Sequence, residues 1–190
     1  MANRNTQGIG LIPAGTLGGS PSIQGQGKYK IDAGHSTTIY NGECVKISSG
    51  YVVGGNGSAA NILGVLNGIF FNAADTLKPT FSNFYKATIT PANSEDTTAF
   101  VIDNPFQQYV VAADAATGVA TFLETYDMNT SAGSDTTGKS SSTLDTSVTS
   151  ADGKQFRLLR SAEDPENEDI TAAFFSGVVV STLNSFNGHN

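Results

Sequence analysis

Apolar positions in this chain come in short runs, several with a period of two, and turn residues follow most of them. Thr37-Thr-Ile-Tyr40, Asn41-Gly42 and residues 43–47 read as strand, turn and strand, because Asn-Gly supplies the positive φ of a tight hairpin. Tyr51-Val-Val53 follows after Ser-Ser-Gly. Residues 62–71 form a longer apolar run, and Gly64 and Gly68 inside it predict bulges or a close backbone approach. Residues 84–90 alternate, with Tyr85, Ala87 and Ile89 on one face and Lys86, Thr88 and Thr90 on the other. Ala99-Phe-Val-Ile102 and Tyr109-Val-Val-Ala112 flank Asp103-Asn-Pro-Phe106, a turn held by its proline. Residues 119–123, 156–159 and 173–182 complete the set of expected strands. No stretch carries a helical period. The pattern predicts an all-β protein, an antiparallel β-barrel or sandwich.

Two zones depart from it. In residues 1–27 the only charge is Arg4, and seven glycines with Pro13 and Pro21 break any regular period. Yet Ile9, Leu11, Ile12, Leu17 and Ile23 are too apolar for a solvated tail. The expectation is an extended N-terminal arm that lays these side chains, with Arg4, on another subunit. Residues 28–190 would then form the body and stay folded when residues 2–25 are removed. The second zone is residues 127–154, where 13 of 28 residues are Ser or Thr. A loop of that length is unusual unless it has a function or lacks order. It predicts a peripheral insertion with little core of its own, used for contact between subunits.

Charge narrows the partners. The net charge is −7 and the pI about 4.6, which argues against wrapping a phosphate backbone with clustered Lys and Arg. Charged residues make up only 14%, so Ser, Thr, Asn and Gly must cover the surface, as in many virion and extracellular β-proteins. A single cysteine, Cys44, excludes an internal disulfide and a cysteine-based zinc site, and its setting predicts a buried strand residue. The chain shows no apolar leader and no run approaching the ~18 residues of a membrane span. We expect it to be made in a cytoplasm, with no membrane partner.

Candidate chemistry is sparse. Gly133-Ser-Asp-Thr-Thr-Gly138-Lys139-Ser140 matches the P-loop pattern, in which backbone amides cradle phosphates, the lysine reaches the β- and γ-phosphates and the serine binds magnesium. That chemistry needs a buried strand before the loop and a helix after it, and the flanks favour neither. The match reads as a decoy. His35 and His189, the only histidines, are too few for a triad or a histidine-ligated metal and read as solvent-exposed. The acidic run Glu163-Asp-Pro-Glu-Asn-Glu-Asp169 lacks the order and central glycine of a calcium loop and reads as solvated. Asp103 and Asp114 cannot be weighed as a catalytic pair from sequence. No catalytic residue, cofactor or metal site is expected.

The order of segments resembles the head decoration, or capsid cement, proteins of tailed bacteriophages. The likeness is carried by Met-Ala-Asn-Arg4 with Leu17-Gly-Gly-Ser-Pro21, by Thr38-Ile-Tyr-Asn-Gly-Glu-Cys-Val-Lys-Ile47 and by Ile62-Leu-Gly-Val65. It continues in Ala99-Phe-Val-Ile-Asp-Asn-Pro105 with Tyr109, Phe156-Arg-Leu-Leu159, Pro165-Glu-Asn167 and Val178-Val-Val180. Glu43-Cys44 stands where the family has Asp-Pro. The resemblance implies a structural virion protein, often a homotrimer, on the outer surface of a capsid, with the major capsid protein as partner. A phage tail or receptor-binding component shares the composition. A P-loop nucleotide-binding protein is the remote alternative.

Overall fold

The structure, a computed structural model, describes residues 2–18, 25–55, 57, 61–129, 133–147 and 150–186. Ile23 and His189 lie outside them. Among the described residues, eleven strands, β1 to β11 in chain order, form two antiparallel sheets. The first sheet runs β1 (Ile12–Thr16), β8 (Gln107–Ala112), β11 (Ser176–Ser181), β10 (Phe156–Ser161) and β9 (Thr125–Tyr126). The second runs β2 (Gly27–Ile31), β7 (Thr97–Ile102), β5 (Gly64–Asn72), β3 (Cys44–Ser48) and β4 (Tyr51–Gly54). A short strand, β6 (Pro79–Ser82), pairs with the second half of β5. Helical structure among the described residues is limited to two 3-10 turns, Ala92–Ser94 and Val119–Thr121. The all-β expectation holds, and the architecture is a sandwich of two antiparallel sheets.

The central strands of the second sheet feed two separate cores. Cys44, Val65 and Ile102 point toward the first sheet and pack with Tyr109, Val111, Phe156, Leu158 and Val179. Their immediate neighbours Val45, Leu66 and Val101 point the other way, into a core with Ile31, Ile39, Ile69 and Tyr85. Successive side chains alternate faces, so two adjacent apolar residues on one strand must enter different cores. This explains why residues 62–71 read as a continuous apolar run. Gly68 sits at the predicted bulge, where the β5–β7 register shifts between Leu66 and Gly68.

The local connections differ from the sequence pattern in instructive ways. Asn41-Gly42 does make a turn, with Gly42 at φ 80° and the Glu43 amide donating to the Tyr40 carbonyl at 3.1 Å. But residues 37–40 do not pair with β3, because β4 and β5 already occupy both of its sides. Ile39 bridges to Tyr85 instead. The tight hairpin lies one turn later, between β3 and β4, where Ser49 and Gly50 both have positive φ (50° and 87°), as a two-residue primed turn requires. Residues 84–90 keep their alternating burial but form no ladder beyond that single bridge. The Asp103-Asn-Pro-Phe106 turn joins β7 to β8 across the two sheets rather than within one. Residues 119–123 are not a strand: they form a 3-10 turn that leaves Val119 68% and Leu123 58% exposed.

The described part of the N-terminal zone packs against the body. Leu11 is only 2% exposed and belongs to the core between the sheets. Residues 12–16 are β1, paired along β8 from Ile12 opposite Val110 to Thr16 opposite Gln107. Upstream, the Asn3 amide donates to the carbonyls of Asp169, Ala172 and Ala173, Arg4 pairs with Glu166, and the Asn5 amide donates to Asn167 Oδ1 at 2.7 Å. Ile9 is half-buried, and only Ile12 and Leu17 stay exposed. A backbone rich in unpaired donors and acceptors finds its partners in the nearest sheet edge. β1 also guards that edge: Pro13 removes a donor, and a bulge follows it.

The described part of the Ser/Thr-rich zone also contributes to the core. Met128 and Leu144 are buried in the first core, and Leu144 bridges both Met128 and Ala113. The Asp114 carboxylate accepts from the Asn129 amide (2.7 Å) and from the Thr146 amide and hydroxyl (2.9 and 2.7 Å), pinning both limbs. Buried hydroxyls substitute for apolar side chains here because each finds a hydrogen-bond partner nearby, as Ser140 and Ser142 do at 2.7 Å.

Integration of the N-terminal segment has a measurable consequence. Leu11→Ala should cost about 2–5 kcal/mol by leaving a cavity, while Ile12→Ala should stay within about 0.5 kcal/mol. Removal of residues 2–17 should lower the urea midpoint of the whole body. An unchanged midpoint would return these residues to the status of an arm.

Candidate functional site

The sequence motif with the most explicit chemistry folds into something else. Gly133 to Ser140 closes on itself as a hairpin-like turn, with Gly133 bridged to Ser140. The Ser134 amide donates to the Lys139 carbonyl (2.9 Å), the Gly138 amide to the Ser134 carbonyl (2.6 Å) and the Ser140 amide to the Asn41 carbonyl (2.9 Å). These amides are already committed to carbonyls, whereas a phosphate cradle needs them turned toward the ligand. The Ser140 hydroxyl is held by Ser142. The turn rests on a stacked pair, Tyr40 and Phe84 (5.8 Å, 4°), and the Tyr40 hydroxyl donates to Asp135 at 2.8 Å.

Other candidates resolve into structural roles. The acidic run 163–169 is shaped by Asp164, which accepts from the Glu166 amide (3.1 Å) and the Asn167 side chain (2.7 Å). No group of three or more metal-ligating side chains is gathered among the described residues. Asp103 accepts from the Tyr29 hydroxyl at 2.6 Å, and burial together with that bond pushes the phenol up to about 12. His35 is half-buried rather than exposed, because its ring lies against Tyr85 at 5.5 Å. Burial lowers its pKa, and its Nε2 has no partner among the described residues. Cys44 is fully buried in β3 and in no disulfide, as expected, and burial pushes its pKa well up.

Glu43 is a carboxylate the sequence did not single out. It is only 9% exposed, its Oε2 accepts from the Tyr40 amide at 2.9 Å, and no cation pairs with it among the described residues. Burial pushes it up to about 7, with the Tyr40 amide pulling the other way. It sits where the Asn41-Gly42 turn enters β3, and its own carbonyl accepts from Leu66 of β5 at 3.0 Å. That is a structural position, with a titration attached.

The feature best suited to recognition lies on the side of the second sheet that faces the first sheet, where that side extends past it. The first sheet covers that face only at the Cys44, Val65 and Ile102 end. Further along, directly opposed residues share a face: Lys28 lies opposite Phe100, Phe100 opposite Gly68, Lys30 opposite Thr98, Thr98 opposite Phe70, and Phe70 opposite Phe81. Phe81 is 64% exposed and Phe70 39%, and the Phe81 and Phe100 rings meet at 6.1 Å. Gly68 permits this arrangement, since a Cβ there would fall 2.7 Å from Phe81 Cζ. Leu77, at the β5–β6 turn, is 71% exposed. The signal in the sequence was phase: Phe70 and Phe100 occupy the positions between core-facing Ile69, Ala99 and Val101, where a solvated strand would place polar residues.

Comparisons with protein-family models, with curated proteins and with solved structures found no match.

Two outcomes follow from these sites. ATP with magnesium should not bind to the Gly133–Ser140 turn; binding that Lys139→Ala abolishes would overturn the decoy reading. For Glu43, the folded pKa lies above the unfolded carboxylate value, so the protonated form is the one that favours folding. Its contribution is complete below about pH 4, declines as pH rises, and is gone above about pH 7, a swing of about 3 kcal/mol. Glu43→Gln should flatten the fall in urea midpoint between pH 5 and pH 8. A fall as steep as in the unaltered protein would show that another group is responsible.

Proposed function

We propose that this protein is a structural virion component that binds the outside of a phage capsid and cements its major capsid subunits. The observation that carries the reading is the aromatic patch of Phe70, Phe81 and Phe100 on the second sheet, on a body in which several edge strands are blunted. β1 carries Pro13 and a bulge, β6 opens with Pro79, and the two-residue β9 is backed by Thr125 bonding to Ser150. A contiguous exposed aromatic patch is what a protein that docks face-on would present. The resemblance described above supplies the identity of the partner. It also supplies the homotrimer, the assembly state we propose.

In this reading the protein does no chemistry and takes no cofactor, nucleic acid or membrane partner. It acts by mass action: binding the assembled shell but not free capsid subunits shifts the equilibrium toward the shell. The test is to mix the purified protein with undecorated heads. Saturable co-sedimentation and a rise in the temperature at which heads open are expected. Heads that sediment bare at micromolar protein would remove the proposal.

A further inference from the structure

The second core is closed on one side by two short segments with few bonds between them. Ile39 and Tyr85, both fully buried, exchange two backbone hydrogen bonds of 2.9 Å, and the Ala87 amide donates to Thr38 Oγ1 at 3.3 Å. Residues 84–90 form no ladder beyond that bridge, and a closure held by so few bonds opens locally before the sheets do. The Tyr85 hydroxyl reaches back to donate to the His35 carbonyl at 2.9 Å, and the His35 ring lies against the Tyr85 ring. His35 therefore sits at the rim of this cover, fixed by the residue that closes it.

The protonation state of the ring decides whether it can stay there. Nε2 of His35 is shut off from solvent and has no hydrogen-bond partner among the described residues. An imidazolium carries a proton on both ring nitrogens, and a buried, charged N–H without an acceptor is costly. Burial lowers the pKa for this reason, and the attraction of Asp32, which raises it, is the weaker effect. The surrounding groups are otherwise engaged. Asp32 is exposed and its Oδ1 accepts from the Gly34 amide at 2.8 Å, while Asp96, in the loop before β7, accepts from the Ala33 amide at 3.3 Å. Asp96 and, less strongly, Asp32 raise the phenol of Tyr51 on β4, and burial raises that of Tyr85. Lys30 of β2 donates to Thr98 Oγ1 and the Asp96 carbonyl, and Lys86, next to Tyr85, pairs with Asp135 at 3.4 Å.

We propose that His35 is an acid-released latch: protonation drives its ring out to water, and residues 35–40 and 84–87 then lift from the second core. The inference does not depend on the capsid reading. Its sign follows from linkage. Neutral His35 favours the closed state, so its contribution is complete above the ordinary value of 6.5 and is lost as pH falls through the lowered one. Glu43 has the opposite sign, because it stabilises as it gains a proton. A global midpoint therefore mixes the two groups, and local opening separates them.

The experiment follows amide exchange by mass spectrometry at about pH 7.5 and about pH 5, each rate referred to that of unstructured peptide at the same pH. It compares the unaltered protein with His35→Phe, which keeps a ring against Tyr85 but cannot titrate. In the unaltered protein, protection of residues 35–40 and 84–87 should fall about threefold or more at the lower pH, while β10 and β11 keep theirs. In His35→Phe the fall should disappear. Proton NMR of the unaltered protein supplies a second measurement that needs no variant to fold. The imidazole in contact with the Tyr85 ring should titrate below 6.5. Titration at or above that value, protection that does not change with pH, or an equal loss across β10 and β11 would each overturn the latch. A loss that persists in His35→Phe would overturn it too, and would assign the effect to Asp32 and Asp96.

Discussion

Burial of β3, β5 and β7 on both faces is the constraint on which the rest of this structure depends. At one end of these strands, Cys44, Val65 and Ile102 enter the core against the first sheet, while Val45, Leu66 and Val101 enter the second core. Two consecutive residues cannot share a face, so each pair commits the chain to covering both sides of the sheet at that level. One side is covered by the first sheet. The other is covered by the segments bearing Ile39 and Tyr85, whose mutual backbone bridge closes it. Farther along β5 and β7, beyond the first sheet, the side that faces it is left open, and Phe70 and Phe81 are exposed there as a direct result.

Polar side chains hold the remaining irregular segments in place. Gln155, fully buried at the start of β10, donates to the Gly55 carbonyl at 2.7 Å and accepts from the Met128 amide at 3.0 Å, joining three distant stretches. Asp114 does the same for residues 129 and 146, and Asn167 for residues 5 and 164. Each buried polar group is costly alone and stabilising once paired. This is how a chain with so many Ser, Thr, Asn and Gly residues forms long connections without helices. It also explains why the Ser/Thr-rich zone is part of the body: its hydroxyls and amides were partners awaiting specific acceptors.

A protein assembled this way offers a preformed sheet face, and that shapes the proposed function. Binding through a preformed sheet face costs less ordering entropy than folding an extended arm onto a partner. Contact through an arm and contact through a face would be different mechanisms. An arm would give adaptable reach; a face demands that the shell present a complementary surface.

Fold class was determined by the sequence itself, because alternation with turn residues is a local property that survives in any tertiary setting. The strands at residues 51–53, 99–102, 109–112, 156–159 and 176–181 could be read for that reason, as could the bulge at Gly68 and the buried Cys44. The pattern could not say which strands pair. Asn41-Gly42 made a turn without a hairpin, and Asp103-Asn-Pro-Phe106 joined two sheets, because the free edges that decide pairing come from distant segments. Leu11 and Ile9 looked available to a partner only while the place of their segment, bonded to Gly42 and Ser142, was unknown. The aromatic face belongs to the same class. Phe70, Phe81 and Phe100 are far apart in the chain and become one surface only when β5 lies between β6 and β7, with the first sheet stopping short of them.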